Sequence, residues 1–367
     1  MKYCFLTAVL AISMMLSGCS SLLNRDFTSI TPHNTTPTAD GGDPSVIRAE
    51  NYQGLVNALV YFVASGMEEG SIRIYNAWED MESDLEAACL EVVQEDPLGA
   101  YSVDHIKCSL DPVVAYYEAD ISISYRRTRE QVTSIVTATG TTAIRSELQQ
   151  ALSSFAPERV LRISYFDGDE NYIRTLCREA YLATPDTALD MPELTISVYP
   201  ETGRQRIVEI LLSYHLETQE LTRRQAQLDQ AQAQLLLELK ATQKNTQLLE
   251  IADTLLSGCE YLPGSGSTAY HALIEGQADS LGLSLAMALL CQNIGLEYEI
   301  VEGTLNESPH RWMVVSTEHG WRHLDLTGFT GSEDSFQTDQ ELESLGYSWN
   351  RDTIPACGLP QDEAQSG

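Results

Sequence analysis

Residues 268–282 read TAYHALIEGQADSLG and lead into the run LSLAMALLCQNIGLEYEIVEG at 283–303. The apolar spacing of this run, which contains no proline, predicts a helix. Residues 309–327 follow as PHRWMVVSTEHGWRHLDLT. Two β-prone segments here flank a turn near Glu318-His319-Gly320, a pattern that predicts a β-hairpin.

The register of this hairpin brings two polar side chains together. If Ser316 pairs with Trp321, then Trp312 lies opposite Asp325. His310 becomes the diagonal neighbour of Asp325 on the same face, within side-chain reach. A carboxylate in that place would orient the imidazole, as a catalytic triad requires.

These segments resemble the bacterial transglutaminase-like domain of the papain-like cysteine-enzyme superfamily, over residues 257–367. In that family a nucleophile opens a helix after a T-A-Y-x-A-L approach, the His lies in H-x-W and the Asp in W-x-H-x-D-x-T. The resemblance implies a papain-like α+β fold and a site for acyl transfer or amide hydrolysis. It assigns Ser280 to the nucleophile position, His310 to the base and Asp325 to the orienting acid, and it implies no cofactor.

The nucleophile position departs from the family, which has a Cys where this chain has Ser280. The nearest thiol, Cys291, lies eleven residues further along the same predicted helix and cannot replace it. A hydroxyl is much harder to ionise than a thiol, so we predict a degenerate, inactive domain that binds peptide or cell-wall polypeptide. An active Ser-His-Asp amide hydrolase or acyl transferase is one alternative, and a structural cell-surface spacer with a closed cleft is another.

Three further residues of this domain are candidates for lining a cleft: Gln277, Trp312 and His323. Trp312 is interpreted equally well as a core aromatic residue. His323 shares a strand face with Asp325 and is an alternative partner for it. The histidines show no metal-ligand spacing, so no metal site is predicted.

The cysteines are interpreted as structural residues more than as reactive groups. Cys89 and Cys177 lie in the middle of apolar stretches and are interpreted as buried small thiols. Cys259 and Cys357 flank the last domain and are a candidate disulfide, because an exported protein permits one. Free thiols throughout are the alternative, since connectivity cannot be read from spacing.

The middle of the chain contains one unit twice, at offsets of 88 to 90 residues. The matching landmarks are Ser71–Tyr75 with Leu161–Tyr165, Cys89 with Cys177, and Ile121–Tyr125 with Ile210–Tyr214. Each unit reads as an amphipathic helix, a strand, a second helix and a strand hairpin. We therefore predict two small α/β-sandwich-type repeats, at 49–142 and 143–215, with their helices on one face of an antiparallel sheet.

Residues 216–256 are rich in Gln, Ala and Leu and contain neither Pro nor Gly. This composition predicts one long helix that links the repeats to the last domain. Its apolar residues do not keep a heptad spacing, so a coiled coil is not favoured. No feature of the sequence indicates an oligomeric state.

The N-terminus reads MKYCFLTAVLAISMMLSGCSS. Its apolar run is too short to span a bilayer and ends in small residues, which is typical of a signal peptide. Leu16-Ser17-Gly18-Cys19 resembles the lipobox of bacterial lipoproteins, which implies removal of residues 1–18 and acylation of Cys19. Residues 20–45 are rich in Ser, Thr, Pro and Asn and cannot bury a core, so residues 19–48 are predicted to be the lipidated Cys and a flexible tether. We therefore expect an exported lipoprotein, anchored by its lipid to the outer face of the bacterial membrane.

The chain has 367 residues and a formal charge of −31. That charge argues against nucleic acid as a partner, because phosphate binding needs a basic surface. Residues 1–48 are neutral, whereas the segment from Gly258 onward has three Arg against 17 acidic residues. A cleft in that field should favour neutral or cationic polypeptide.

Overall fold

The computed structural model describes residues 37–358, so the predicted signal peptide and Cys19 lie outside the described residues. The fold class is α+β, as predicted, with helices packed on several separate sheets. The chain forms two compact units. Among the described residues, one contains 37–93 together with Asp104–Tyr125, and the other contains Gln94–Val103 together with 126–358. Within residues 37–358, no helix has both the length and the apolar character that crossing a bilayer requires.

The first repeat is built around a four-stranded sheet. Its elements are β1 (Val46–Ala49), α1 (Tyr52–Ala64), β2 (Glu69–Ile74), α2 (Met81–Gln94), α3 (Pro97–Ser102), β3 (Val103–Val113) and β4 (Tyr116–Tyr125). The strand order is β1-β2-β4-β3, and α3 belongs to the second unit. α1 begins after Asn51, whose side chain accepts a hydrogen bond from the Gly54 amide, and it packs on β1 and β2.

The second repeat follows α4 (Arg129–Thr133) and has the same sequence of elements except that it has no counterpart of α3. They are β5 (Val136–Ala138), α5 (Thr141–Ser153), β6 (Glu158–Ile163), α6 (Glu170–Leu182), β7 (Glu193–Tyr199) and β8 (Arg206–Ser213). Its strand order, β5-β6-β8-β7, matches that of the first repeat. Val46 pairs with Ser71 and Val136 with Leu161, so equivalent pairs lie at the predicted offset of 90 residues. Cys89 and Cys177 both occupy helices, and both are buried.

The sheets differ from the prediction in one respect. Each is mixed, because β1 pairs parallel to β2 and β5 pairs parallel to β6, while the remaining pairs for which a register is recorded are antiparallel. These parallel strands also place the start of each repeat before residues 49 and 143. Strands of three or four residues are too short to show an alternating pattern, which is why the sequence did not reveal them.

The predicted long linking helix is instead two helices, α7 (Thr218–Glu238) and α8 (Lys244–Gly258). Between them the Glu250 carboxylate accepts hydrogen bonds from the amides of Lys240 and Ala241. That side chain therefore satisfies backbone donors that a continuous helix would have used. α7 buries Leu221 and Leu228, and α8 buries a second apolar set against the last domain.

The last domain surrounds a helix that is buried along its first twelve residues. Its elements are β9 (Glu260–Tyr261), a π-helical turn (His271–Glu275), β10 (Gln277–Ala278), α9 (Ser280–Asn293), β11 (Tyr298–Leu305), β12 (Ser308–Thr317), β13 (Gly320–Leu324), α10 (Asp339–Ser344) and β14 (Tyr347–Trp349). Three short 3-10 turns lie at Leu326–Gly328, Glu333–Ser335 and Arg351–Thr353. α9 is apolar on all sides and packs on α8, β11 and β12, which places it in the core.

Candidate active site

The nucleophile position lies at the start of the buried helix. Ser280 is the first residue of α9, and Asp279 caps the helix by accepting a hydrogen bond from the Gly282 amide at 2.9 Å. The first amides of a helix have no partner within it, and none is recorded for Ser280 or Leu281 in the described part of the chain. Ser280 is 7% exposed. Its hydroxyl thus lies at the positive end of a helix and close to the surface.

Glycine at position 282 is required by a close backbone approach. A Cβ there would lie 2.7 Å from the Gly266 carbonyl oxygen and 3.1 Å from that of Thr268. The same approach is held by a hydrogen bond from the Asp279 amide to the Gly266 carbonyl at 3.0 Å. Gly282 therefore allows residues 266–268 to pack closely against the first turn of α9.

The predicted hairpin register is correct. Ser316 pairs with Trp321 across β12 and β13, and the turn closes at Gly320 with a φ of 91°. Asp325 directly follows the last residue of β13. His310 Nε2 lies 2.6 Å from Asp325 Oδ2, so the predicted pair is formed.

Asp325 is held by more groups than the sequence indicated. Tyr347 donates its hydroxyl to Oδ2 at 2.6 Å, and Thr327 donates both its amide and its hydroxyl to Oδ1 at 2.9 Å. Burial alone would raise the pKa of Asp325, but the hydrogen bonds from His310, Tyr347 and Thr327 outweigh it and lower that pKa. The carboxylate is thus ionised and accepts the His310 Nε2 proton, which leaves Nδ1 with the lone pair in the neutral ring.

Ser280 and His310 meet only indirectly. The Arg311 amide donates to Ser280 Oγ at 3.3 Å, which brings the strand next to the helix start. Between residues 37 and 358, no hydrogen bond joins Ser280 Oγ to the His310 ring. His310 and Asp325 are therefore paired as predicted, but the predicted link from His310 to Ser280 is not formed.

Two of the candidate cleft residues are in the core instead. Trp312 and His323 are each 0% exposed, so neither lines an open cleft. The Trp312 indole donates to His323 Nδ1 at 3.0 Å, and His323 Nε2 lies 2.9 Å from Asp339 Oδ1. His323 is therefore not a partner of Asp325. Gln277 is exposed, and its amide bonds the carboxylate of Glu260 at 3.3 Å.

Three residues of this network, of which two are buried and Asp339 is partly exposed, have the composition of a metal site. His323, Asp339 and Cys357 each offer one ligand atom, and these atoms lie within 4.8 Å of one another. The Trp312 indole is only a donor, so His323 Nδ1 must accept and Nε2 must carry the proton, which leaves Nε2 no lone pair for a metal. Burial raises the pKa of the Cys357 thiol to about 12, away from the thiolate that binds metals. The trio therefore fits a structural hydrogen-bond network.

A cavity of about 420 Å³ opens beside the start of α9, and Ser280, His310 and Asp325 are not among the residues recorded in its wall. Leu281 and Arg311, the residues that follow Ser280 and His310, both line it. Its other walls come from the second repeat, including Arg178, and from residues 267–271, including His271. The sequence did not reveal Arg178, because that residue lies more than 100 positions from the triad in the chain.

Three solved structures resemble this chain at a low level. A protein described as a TGase aligns over 65% of this chain and 68% of its own length, with 13% identity and a TM-score of 0.27. A candidate cysteine protease from Cytophaga hutchinsonii aligns over 43% of this chain and 70% of its own, with 14% identity and a TM-score of 0.25. A candidate protease from Parabacteroides distasonis ATCC 8503 aligns over 70% of this chain and 39% of its own, with 9% identity and a TM-score of 0.23.

No protein-family model matches the chain, and no curated protein sequence matches it. Identities and TM-scores this low support no conclusion about activity. The function of the site is therefore argued from its own side chains.

The candidate disulfide is not formed in the structure. Cys259 and Cys357 are both free thiols, and each Sγ faces a nearby backbone carbonyl instead, that of Glu260 and that of Pro355. Cys291 is fully buried, and burial raises its thiol pKa to about 12, so it is chemically inert as well as remote from the site. No thiol among the described residues occupies the nucleophile position.

Proposed function

We propose that this protein is an extracytoplasmic lipoprotein whose C-terminal, transglutaminase-like domain binds peptide or cell-wall polypeptide without turning it over. The observation that carries the proposal is the state of Ser280. Its hydroxyl accepts a hydrogen bond from the Arg311 amide and has none to His310. A hydroxyl is far harder to ionise than a thiol, so without a hydrogen bond to a general base Ser280 is not activated as a nucleophile.

The rest of the site supports binding. The cavity beside the start of α9 is open and is lined by both polar and apolar side chains, so a ligand group has room to enter it. Its presence disfavours the spacer alternative, which needs bulky side chains to fill the cleft. The His310–Asp325 pair then has a structural role, since it ties β12 to the segment after β13.

The proposal is tested by comparing the native protein with Ser280→Ala. We expect both to bind a set of short peptides and to show equal, background rates on amide and Gln-donor substrates, measured by ammonia release and mass spectrometry. Native turnover that disappears in Ser280→Ala would contradict the inactive-domain proposal.

A second candidate function, a serine amide hydrolase or acyl transferase, is favoured by the His310 tautomer. Because Asp325 is ionised and accepts the Nε2 proton, Nδ1 retains the lone pair that a general base needs. Ligand binding that moved Ser280 Oγ toward Nδ1 would complete the triad. The same comparison of native protein with Ser280→Ala distinguishes the two candidates.

Membrane anchoring through Cys19 is part of the proposal and rests on the lipobox-like sequence. We expect Cys19→Ser, expressed in a bacterial host, to lose palmitate labelling and to shift from the membrane fraction to the soluble exported fraction. Cys4→Ser, which lies within the predicted signal peptide, is the matched control and should remain in the membrane fraction. An unlabelled native protein would contradict the anchoring proposal.

A further inference from the structure

The cavity beside Ser280 has two guanidinium groups in its wall. Arg178 reaches it from α6 of the second repeat, and Arg311 reaches it from β12 of the last domain. Both pair with one carboxylate, that of Glu302 on β11. Burial alone would raise the pKa of Glu302, but its two arginine partners lower it, so the carboxylate is charged.

The two arginines share Glu302 unequally. Arg178 binds it with two hydrogen bonds, from Nε at 3.1 Å and from a terminal nitrogen at 2.6 Å. Arg311 reaches it only through Nε, at 3.4 Å. The terminal nitrogens of Arg311 have no recorded partner among residues 37–358, although the same side chain lines the cavity. A planar pair of guanidinium donors is the group that best matches a carboxylate.

The one acidic residue in the cavity wall does not compete for these donors. The Asp190 carboxylate accepts hydrogen bonds from the amides of His215 and Leu216, at 2.6 and 2.9 Å, and lies 3.0 Å from the His215 ring. His271, also in the wall, is bonded through Nδ1 to the Thr268 hydroxyl. The charged donors in the wall that have no recorded partner among the described residues are therefore the terminal nitrogens of Arg311.

We propose that this cavity is a subsite for a carboxylate group of a bound peptide, held by the terminal nitrogens of Arg311 with Arg178 beside it. The inference deepens the proposed peptide-binding function and rests on it. Because Arg311 follows His310 on β12, its side chain lies on the opposite face of the strand, so the proposed subsite is separate from the His310–Asp325 pair. The local chemistry thus favours an acidic group, although the domain as a whole is strongly acidic.

The carboxylate of a peptide has two sources, an acidic side chain or a free C-terminus. Three probes separate them: acetyl-Ala-Glu-Ala-amide, acetyl-Ala-Gln-Ala-amide and acetyl-Ala-Gln-Ala with a free C-terminal carboxylate. We expect at least one carboxylate peptide to bind the full exported chain about tenfold or more tightly than the uncharged peptide, by calorimetry at low ionic strength.

Two variants test these contacts and are expected to change the affinity for the carboxylate peptide in opposite directions. Arg311→Gln should abolish the preference for carboxylate, and it should fold because Glu302 keeps both hydrogen bonds from Arg178. Glu302→Gln removes the carboxylate that competes for the arginines, so it should strengthen binding of the carboxylate peptide. Arg351→Gln is the matched control: it removes one positive charge from an exposed ion pair with Glu343, away from the cavity, and should leave the preference unchanged.

The outcomes separate this inference from the proposed function. Equal binding of all three peptides overturns the carboxylate subsite and leaves peptide binding in place. A preference that survives in Arg311→Gln also overturns it. Failure of every peptide to bind contradicts both the carboxylate subsite and the proposed peptide binding. Turnover by the native protein contradicts only the inactive-domain proposal.

Discussion

Replacing Ser280 by Cys is expected to raise the rate of amide hydrolysis or Gln-donor acyl transfer about 100-fold or more above the native rate. The substitution places a thiol at the first residue of α9, where unpartnered amides and the helix dipole stabilise a thiolate. His310 is already oriented by Asp325 at 2.6 Å, so a thiolate–imidazolium pair needs no new residue. Rates are measured by ammonia release and by amine incorporation into a Gln peptide.

The same variant has an independent chemical readout. Alkylation by iodoacetamide should label the introduced thiol faster than Cys291, whose pKa is raised to about 12 by burial. Ser280→Ala is the control for background turnover and labelling. A Ser280→Cys protein that folds, yet shows neither turnover nor fast labelling, would mean that the missing thiol is not the only reason for inactivity.

Replacing Trp312 by Ala is expected to lower the free energy of unfolding by about 3–5 kcal/mol. The indole is fully buried and packs against the rings of Tyr347 and Trp349, with centroids 5.1 and 5.8 Å away. β11 has a glycine beside it, Gly303, where a Cβ would lie 2.6 Å from the Trp312 ring. Truncation therefore leaves a cavity that this close packing cannot readily collapse to fill.

A second substitution separates packing from hydrogen bonding. Trp312→Phe keeps an aromatic ring but removes the donor to the buried His323 Nδ1, so a loss of about 1–3 kcal/mol is expected. Trp321→Ala, at a partly exposed position of the same hairpin, is the control and should cost less than Trp312→Ala. Unfolding is followed by urea titration with far-UV circular dichroism. Equal costs for Trp312→Ala and Trp321→Ala would contradict the assigned role.

The sequence was informative where the signal is local. Alternation on either side of the Gly320 turn indicated the hairpin register, and that register placed His310 within reach of Asp325. The start of α9 followed from the T-A-Y-x-A-L resemblance and is held by the Asp279 cap. Repetition at one fixed period indicated the two α+β units, whose sheets share one strand order.

The sequence did not reveal contacts between segments that are distant in the chain. Tyr347 is 22 residues from Asp325, and its hydroxyl meets the carboxylate only after β14 pairs with β11. The predicted linking helix was wrong because a side-chain carboxylate, that of Glu250, captures backbone amides where no breaking residue occurs. Trp312 and His323 were candidates for the cleft because strand alternation gives a face but does not say what covers it.

By itself, the sequence determined the α+β class, the repeat and the hairpin register that pairs His310 with Asp325. These features depend on periodicity and spacing within short windows, where backbone geometry leaves few choices. Only the tertiary structure decided that Ser280 contacts the Arg311 amide rather than His310, and that Arg178 and Arg311 meet at Glu302 beside the cavity. The Arg178–Glu302 contact joins residues 124 positions apart, and packing in three dimensions, not local pattern, brings such segments together.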